Sequence, residues 1–181
     1  MRICLENGAT IDETIEIDKS TTVHVAASQG SLEIIKLMSE MQTDIFSIVI
    51  QSEDSMGMTP MHRAAMFDHV DVCEFLISKG ADIDALDKEK RTPLLLAASR
   101  NCVKMICYLL QNNANTRIKD SKMCNMIHLI IKQDPQCLNT EVLGKFNANT
   151  INSFEKIIDE LLKVEVSFNI SKFIKKIKIE N

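Results

Sequence analysis

The side chains of this sequence that could carry out metal or nucleophilic chemistry are its histidines and cysteines. The four histidines are His24, His62, His69 and His128. The six cysteines are Cys4, Cys73, Cys102, Cys107, Cys124 and Cys137. None of the cysteines forms the Cys-x-x-Cys pair that structural zinc sites commonly use, and no carboxylate, histidine and nucleophile follow the pattern of a catalytic triad. The sequence therefore predicts a protein that is not an enzyme and that has no cofactor or metal site.

The cysteines could alternatively act as redox sensors, a role that requires an exposed thiol with a lowered pKa. Cys73 lies at an apolar position of a helical pattern, which is typical of a small buried hydrophobic residue. The N-terminal stretch MRICLENGATIDE has no long apolar run, so it does not resemble a signal peptide. We therefore expect free, structural thiols in the reducing cytosol, with the redox sensor as an alternative.

Most of these residues belong to a phrase that the chain repeats. The stretches STTVHVAASQG, MTPMHRAAMFD and RTPLLLAASRN align, and NMIHLII begins a fourth copy. Thr59 and Thr92 are 33 residues apart and Asn125 lies a further 33 on, whereas Thr21 precedes Thr59 by 38. One repeat therefore carries about five extra residues. The segment CLENGATID matches LISKGADID, the end of a repeat, so we expect the chain to begin inside a repeat.

Each position of the phrase suits the start of a short helix. Threonine is a good N-cap, and proline at the first helical position loses no intrahelical hydrogen bond. The alanine pairs that follow keep this inner helix thin, so that neighbouring repeats can approach. An outer helix comes next and ends near Gly80, which suits a left-handed C-cap. The residues predicted on the apolar faces of two outer helices are Val70, Cys73, Leu76, Ile77, Val103, Ile106, Leu109 and Leu110.

A period of 33 residues with the pattern Thr-Pro-Leu-His-x-Ala-Ala resembles the ankyrin repeat. The resemblance implies an all-α fold, an ankyrin-repeat solenoid of stacked helix-turn-helix units with short β-hairpin fingers. It also implies that the histidine of the pattern links adjacent repeats through hydrogen bonds, and that His69 lies between two helices. The residues with implied structural roles are Thr21, His24, Thr59, Pro60, His62, Thr92, Pro93 and His128. Arg63, Leu95 and Lys90 depart from the pattern, which prefers Leu, His and Gly at those positions.

The repeat divides the chain into five parts. Residues 1–20 are expected to be the end of a partial repeat and a connector, and residues 21–133 to be repeats starting near 21, 59, 92 and 125. We expect a loop or insertion at residues 134–149 and an amphipathic helix at residues 150–166. Residues 167–181 are basic, and we expect a disordered or frayed tail there; binding of this tail to an anionic membrane is the alternative.

The finger DALDKEKRT is the candidate partner-binding site. Its polar residues are Asp84, Asp87, Lys88, Glu89, Lys90 and Arg91. Ankyrin arrays commonly bind protein partners through finger tips and the concave face, although a solvated hairpin tip would also be charged. The net charge of −4 argues against a nucleic-acid partner, and no apolar run reaches the length of about 18 residues that a membrane span requires.

The segment from Asp87 to Gln133 resembles a narrower family. The variant TPLLLAAS and the stretch LLQNNANTRIKDSKMCNMIHLII are similar to the cytosolic N-terminal repeats of the transient receptor potential ankyrin-type cation channels, in an insect-like form. The similarity is clearest from Met58 to Gln133 and does not cover the residues that follow. The resemblance therefore implies a truncated piece of such a channel, without the pore.

In that interpretation the chain is an interaction module in the cytosolic array of a calcium-permeable sensory channel, itself a homotetramer. The module would lie on the cytosolic side of the plasma membrane and contact protein partners or other channel subunits. The alternative is a freestanding cytosolic ankyrin adaptor or scaffold that binds another protein.

Overall fold

The computed structural model describes residues 10–133, with side chains described as far as Ile130, and this range contains eight helices. They are α1 (Thr22–Ser28), α2 (Leu32–Met41), α3 (Thr43–Val49), α4 (Pro60–Met66), α5 (Val70–Ser78), α6 (Pro93–Ser99), α7 (Val103–Gln111) and α8 (Met126–Gln133). Between residues 10 and 133 no strand forms, and the β-type pairing there is one antiparallel bridge between Thr14 and Thr21. The predicted all-α class is confirmed. In the described residues the expected β-hairpin fingers are hydrogen-bonded turns without assigned strands.

The inner helices α1, α4, α6 and α8 stack on one another in chain order. They begin immediately after Thr21, Thr59, Thr92 and Asn125, all of which are buried. The outer helices α2, α5 and α7 pack on the inner helices of their own repeats, and α5 contacts both α2 and α7. The four cap residues therefore occupy equivalent places in successive layers, as in a solenoid whose repeats contact only their neighbours.

The backbone conformation repeats together with the helices. The described residues with positive φ fall at three positions of the repeat. These positions lie two residues before the cap residue, nine residues after it and 21 residues after it. The first position is occupied by Lys19, Gly57, Lys90 and Met123. The second is occupied by Gly30, Asp68 and Asn101, and the third by Gly80 and Asn113. Glycine adopts positive φ freely, whereas other residues do so at a cost. The turns are therefore set by the architecture of the repeat, even where the local residue does not favour them.

The longer first step, from Thr21 to Thr59, contains helix α3. Its side chains Phe46 and Val49 are buried, as is Ile50 directly after it. The Phe46 ring meets the Phe75 ring of α5 edge-on, with centroids 6.3 Å apart. The extra residues thus add a helical turn that packs on the second repeat, so the insertion does not interrupt the stack.

The core lies between the inner and outer helices and between neighbouring repeats. On the outer helices the buried side chains include Val72, Cys73 and Leu76 of α5, and Met105, Ile106 and Leu109 of α7. Four other residues predicted on the apolar faces of these helices are partly exposed: Val70, Ile77, Val103 and Leu110. The buried stripe is shifted because each outer helix faces the preceding outer helix as well as its own inner helix.

The predictions for the parts 134–149, 150–166 and 167–181 lie outside the described residues, as do Cys4 and Cys137.

Candidate protein-interaction surface

The histidines of the repeated pattern join neighbouring repeats. The Nε2 atom of His62 lies 2.9 Å from the carbonyl oxygen of Arg91, which precedes the next cap residue. Its Nδ1 atom accepts a hydrogen bond from the backbone N–H of Thr59 at 3.1 Å. Since Nδ1 accepts, Nε2 carries the proton and donates it to the next repeat. His24 makes the same two contacts one repeat earlier, at 2.8 and 3.2 Å.

Burial lowers the pKa of the His24 and His62 imidazoles from the usual 6.5, while the hydrogen bonds to the backbone carbonyls oppose the shift. Both side chains are buried, and the neutral form matches the hydrogen bonds of both ring nitrogens. The Nδ1 lone pair of each ring accepts a backbone N–H, so in this conformation it does not bind a metal or accept a proton. The geometry therefore supports a structural use of these two rings.

The remaining cap positions follow the same plan with substitutions. Thr92 accepts a hydrogen bond from the backbone N–H of Leu95 at 3.2 Å, and Leu95 fills the histidine position with a buried aliphatic side chain. Asn125 caps the fourth inner helix by accepting from the backbone N–H of His128 at 3.1 Å. The prolines Pro60 and Pro93 are the first residues of α4 and α6.

A second contact between repeats comes from the residue that precedes each outer helix. His69 Nε2 lies 3.1 Å from the carbonyl oxygen of Ser28 in the preceding inner helix. Cys102 occupies the equivalent position one repeat later, and its Sγ lies 3.7 Å from the carbonyl oxygen of Met66. A thiol thus replaces an imidazole at the same place in the stack, which explains both residues without catalytic chemistry.

Buried aspartates shape the fingers, and the sequence analysis identified only one of them, Asp87. Its Oδ1 accepts hydrogen bonds from the backbone N–H groups of Glu89 and Arg91 at 2.9 and 2.8 Å. Asp54 and Asp120 make the same pair of bonds in the neighbouring fingers. The 33-residue spacing of these three aspartates, directly before each finger tip, was the signal that could have revealed them.

Two of these aspartates are neutralised by arginines. The Nε of Arg63, on inner helix α4, donates to Asp54 Oδ2 at 2.8 Å, and the Nε of Arg91 donates to Asp87 Oδ2 at 2.7 Å. Buried carboxylates require such partners because an unpaired buried charge is costly. Arg63 therefore departs from the repeat pattern for a reason that can be seen in the structure: it pairs with the finger of its own repeat.

The fingers are tied to each other by one backbone hydrogen bond per junction. The backbone N–H of Lys88 donates to the carbonyl of Met56 at 3.1 Å, and that of Ser121 donates to the carbonyl of Glu89 at 2.8 Å. The same bond links Ser55 to the preceding finger. This ladder keeps the finger tips in register along the stack.

The candidate partner-binding residues divide into two groups. The side chain of Asp87 is buried, and Arg91 is only partly exposed and pairs with it. Asp84 accepts a hydrogen bond from the backbone N–H of Asn115 in the next finger at 2.9 Å. The exposed members of the candidate set are Lys88, Glu89 and Lys90. A partner that binds here would therefore meet these three side chains, while Asp84, Asp87 and Arg91 hold the finger in shape.

Exposed apolar side chains accompany the charged ones on the fingers, a feature that the sequence analysis did not identify. Their members are Ile15, Ile17, Met56, Leu86 and Met123. We use the name finger surface for these residues together with Lys88, Glu89 and Lys90. A protein partner bound here would therefore meet apolar as well as charged side chains.

Two of the described cysteines, Cys73 and Cys102, lack the lowered pKa that a sensor thiol requires. Cys73 is fully buried, and its burial raises the pKa of the thiol. Burial also raises the pKa of Cys102, with the nearby Asp68 as a second cause. Cys107 is buried and Cys124 is partly exposed. A raised pKa opposes formation of the reactive thiolate.

Residues 10–133 contain neither a candidate metal site nor a candidate membrane span. No group of three or more histidine, cysteine, aspartate or glutamate side chains there could hold a metal ion. None of the helices in that range has the length and apolar character that crossing a membrane requires.

Comparison with known proteins yields one family. A family model described as ankyrin repeats (3 copies) matches residues 1–87 and 50–120. The chain is 45% identical over 131 residues to transient receptor potential cation channel subfamily A member 1 of Drosophila melanogaster, a match that covers 72% of this chain and 11% of the channel. The human channel of the same name is 40% identical over 133 residues, which are 74% of this chain and 12% of the channel.

Ankyrin-containing proteins of another kind match as well. Inversin of Gallus gallus is 30% identical over 140 residues, which are 75% of this chain and 11% of inversin. The chain therefore spans only about a tenth of the length of the curated relatives that it matches.

Proposed function

The chain belongs to the ankyrin-repeat family, and on that basis we propose that it is a non-catalytic protein-interaction module from the cytosolic array of a transient receptor potential ankyrin-type cation channel. The observation that carries the proposal is a difference in identity over similar lengths of chain. The match to the two channels is 45% and 40%, against 30% for inversin. Shared repeat architecture alone would raise all three values together.

The proposed binding surface is the finger surface. Its exposed charges and apolar side chains lie on turns that the buried aspartates and the backbone ladder hold in place. Protein partners or other channel subunits would contact these side chains and the concave face. Because the stack positions the tips before a partner arrives, binding would require little ordering of the chain, which favours affinity.

We also propose what the parent protein is. It would be a homotetrameric, calcium-permeable channel of sensory cells in which this array lies on the cytosolic side of the plasma membrane. The array would take part in gating by binding, and ion conduction would belong to other parts of that protein.

A freestanding cytosolic ankyrin adaptor is the second candidate. The match to inversin over 75% of this chain favours the adaptor, because inversin is a protein whose name does not refer to a channel. The two candidates share the interaction module and differ in whether a pore is attached to it.

A chimeric channel distinguishes the candidates. The 131-residue stretch of the Drosophila melanogaster channel that matches this chain is replaced by the matching residues of this chain, and cation current is recorded from cells that express the chimera. We expect current comparable to that of the parent channel. The matched control carries the aligned residues of Gallus gallus inversin, and we expect it to be silent. Current from both chimeras, or from neither, would remove the support for the channel assignment.

The finger surface is tested in the same chimera by reversing one charge. Lys90 is exposed at the tip of its finger, so Lys90→Glu alters the surface with little effect on the core. We expect altered gating of the chimera. Lys104→Glu, at an exposed position of outer helix α7, is the control and should leave the current unchanged. Identical behaviour of the two variants would contradict the assignment of binding to the fingers.

A further inference from the structure

The net charge of the fingers changes along the stack. Each finger comprises the ten residues before a cap residue, which are residues 11–20, 49–58, 82–91 and 115–124. With each Asp and Glu counted as −1 and each Lys and Arg as +1, their formal net charges are −3, −2, −1 and +2 in chain order. The whole chain has a net charge of −4, so the positive charge of the fourth finger is a local feature.

The first finger combines negative charge with exposed apolar side chains. Its carboxylates Asp12, Glu13 and Glu16 are exposed, and the acidic residues of this finger outnumber its single lysine. Ile15 and Ile17 lie among them and are 48% and 93% exposed. In the part of the chain that the structure describes, no lysine or arginine forms an ion pair with these three carboxylates. This finger therefore presents acidic and aliphatic groups that have no partner among the described residues.

The fourth finger has the opposite charge and a similar apolar component. Arg117, Lys119 and Lys122 are exposed, and Met123 beside them is 67% exposed. The one carboxylate of this finger, Asp120, is buried and accepts hydrogen bonds from backbone N–H groups of its own finger. Among residues 10–133 no carboxylate forms an ion pair with these three cations. The exposed side chains of this finger thus suit an acidic segment that also carries apolar groups.

The two middle fingers give the row a continuous change of charge. The second finger has an exposed Glu53 and contains no lysine or arginine. The third has exposed Lys88 and Lys90 together with the exposed carboxylates of Asp82 and Glu89. The row of fingers therefore has an acidic end and a basic end, with the change between them in the third finger.

The two ends of the row act as separate contacts. Packed helices are about 10 Å apart, so three layers place the first and fourth fingers about 30 Å from each other. At physiological ionic strength the interaction between exposed charges is screened beyond about 8 Å. Each end therefore attracts opposite charge on its own, and a partner that matches both ends gains two contacts at once.

We infer that the row of fingers binds a second copy of this chain in antiparallel orientation, with the acidic first finger of each copy against the basic fourth finger of the other. A two-fold axis then relates the copies, and the contact occurs twice in the dimer. Ile15 and Ile17 would meet Met123 inside a rim of opposite charges. The inference names one partner for the finger surface and rests on the binding role proposed for that surface.

A second copy fits the row better than a membrane or a nucleic acid does. A long anionic surface on the fourth finger would also face the first three fingers, whose net charges are negative. The first finger of another copy is instead a short acidic segment with its own exposed isoleucines. Both halves of a complementary pair are therefore present in one chain.

The test reverses the charge of one finger at a time in the full chain. The first variant combines Arg117→Glu, Lys119→Glu and Lys122→Glu, which makes both end fingers acidic. The second combines Asp12→Lys, Glu13→Lys and Glu16→Lys, which makes both end fingers basic. The control has as many reversals at exposed positions outside the fingers, namely Lys79→Glu, Arg100→Glu and Lys104→Glu. Sedimentation velocity measures the dissociation constant of the dimer for each chain and for an equimolar mixture of the first two variants.

We expect the parent chain and the control to dimerise alike. Each finger variant alone should dimerise at least about tenfold more weakly, because both contacts then join like charges. The mixture should dimerise as tightly as the parent chain, since each variant supplies the charge that the other needs. Restored dimerisation also excludes misfolding as the cause of the loss. Raising the ionic strength from about 0.05 to 0.5 M should weaken the parent dimer.

Three results would overturn the inference. They are a parent chain that sediments as a monomer at every concentration, a dimer that salt strengthens or that neither finger variant weakens, and a mixture of folded variants that does not dimerise. If one of them is found while Lys90→Glu still alters gating of the chimera, the finger surface keeps its binding role and a second copy is excluded as its partner.

Discussion

At the scale of single residues, the histidine of the repeated pattern is the best-defined link between repeats. The spacing of Thr59 and His62 predicted a structural role for this ring, and the family resemblance implied that the role was to link repeats. The sequence could not identify the acceptor of the Nε2 proton, because Arg91 lies 29 residues away and comes close only when the stack forms. Nor did it identify Cys102 as the counterpart of His69, since a thiol and an imidazole do not look alike in an alignment.

Replacing His62 by leucine should destabilise the stack. The substitution His62→Leu removes the acceptor for the Thr59 N–H and the donor to the Arg91 carbonyl in a buried site. We expect the free energy of unfolding to fall by about 1–3 kcal/mol, measured by urea denaturation followed by circular dichroism. Lys104→Leu introduces the same side chain at an exposed position and should change it by less than about 0.5 kcal/mol. Equal effects of the two variants would argue against the hydrogen bonds as the cause.

The same histidines predict a pH dependence of stability. The folded pKa of His24 and of His62 lies below the usual 6.5, so the unfolded chain binds protons first as the pH falls. The stabilisation is fully present above pH 6.5 and is lost as the pH falls from there toward the folded pKa, by at most about 1.4 kcal/mol per pH unit for each histidine. Urea denaturation between pH 7.5 and 5.5 measures this slope. His62→Leu should show a smaller slope, and a free energy of unfolding that rises toward pH 5.5 would contradict the account.

At the scale of elements, the fingers show where the sequence was informative and where it was not. The glycine-like position of Lys90 was evident from the repeat, and Lys90 has positive φ, as does Gly57 one repeat earlier. The aspartates Asp54 and Asp120 were missed, because a buried aspartate that accepts backbone hydrogen bonds looks in sequence like any polar loop residue. The depth of burial along each outer helix could not be predicted, since hydrophobic periodicity describes one helix and not the neighbour that covers it.

Two substitutions at the equivalent finger position should have opposite effects. In Gly57→Ala the new Cβ would lie 2.8 Å from the backbone nitrogen of Lys88 at a φ of +75°, and we expect a loss of about 1–2 kcal/mol from the left-handed conformation alone. In Lys90→Gly the strain of a φ of 59° is relieved at an exposed tip, for a gain of about 0.5–1 kcal/mol. Thermal unfolding of both variants beside the parent chain measures the two shifts. Shifts of the same sign would show that the two positions are not equivalent.

At the scale of the whole molecule, the repeat period predicted the stack of helix pairs. The period does not describe how an irregular repeat is accommodated. The five extra residues of the first step form part of helix α3 and its flanks, which pack on the second repeat through Phe46 and Phe75. The sequence could locate this insertion but could not predict its fold, because its contacts are made with a different repeat.

Residue-resolved hydrogen exchange of the native chain tests the central claim most directly, namely that each repeat is stabilised by the neighbours that cover its faces. Helices α4 and α6 each pack between two inner helices, whereas among the described inner helices α1 packs on α4 alone. We predict that the backbone amides of α4 and α6 exchange more slowly than those of α1, by at least about tenfold. Exchange of α1 that is as slow as that of α4 and α6 would contradict the claim.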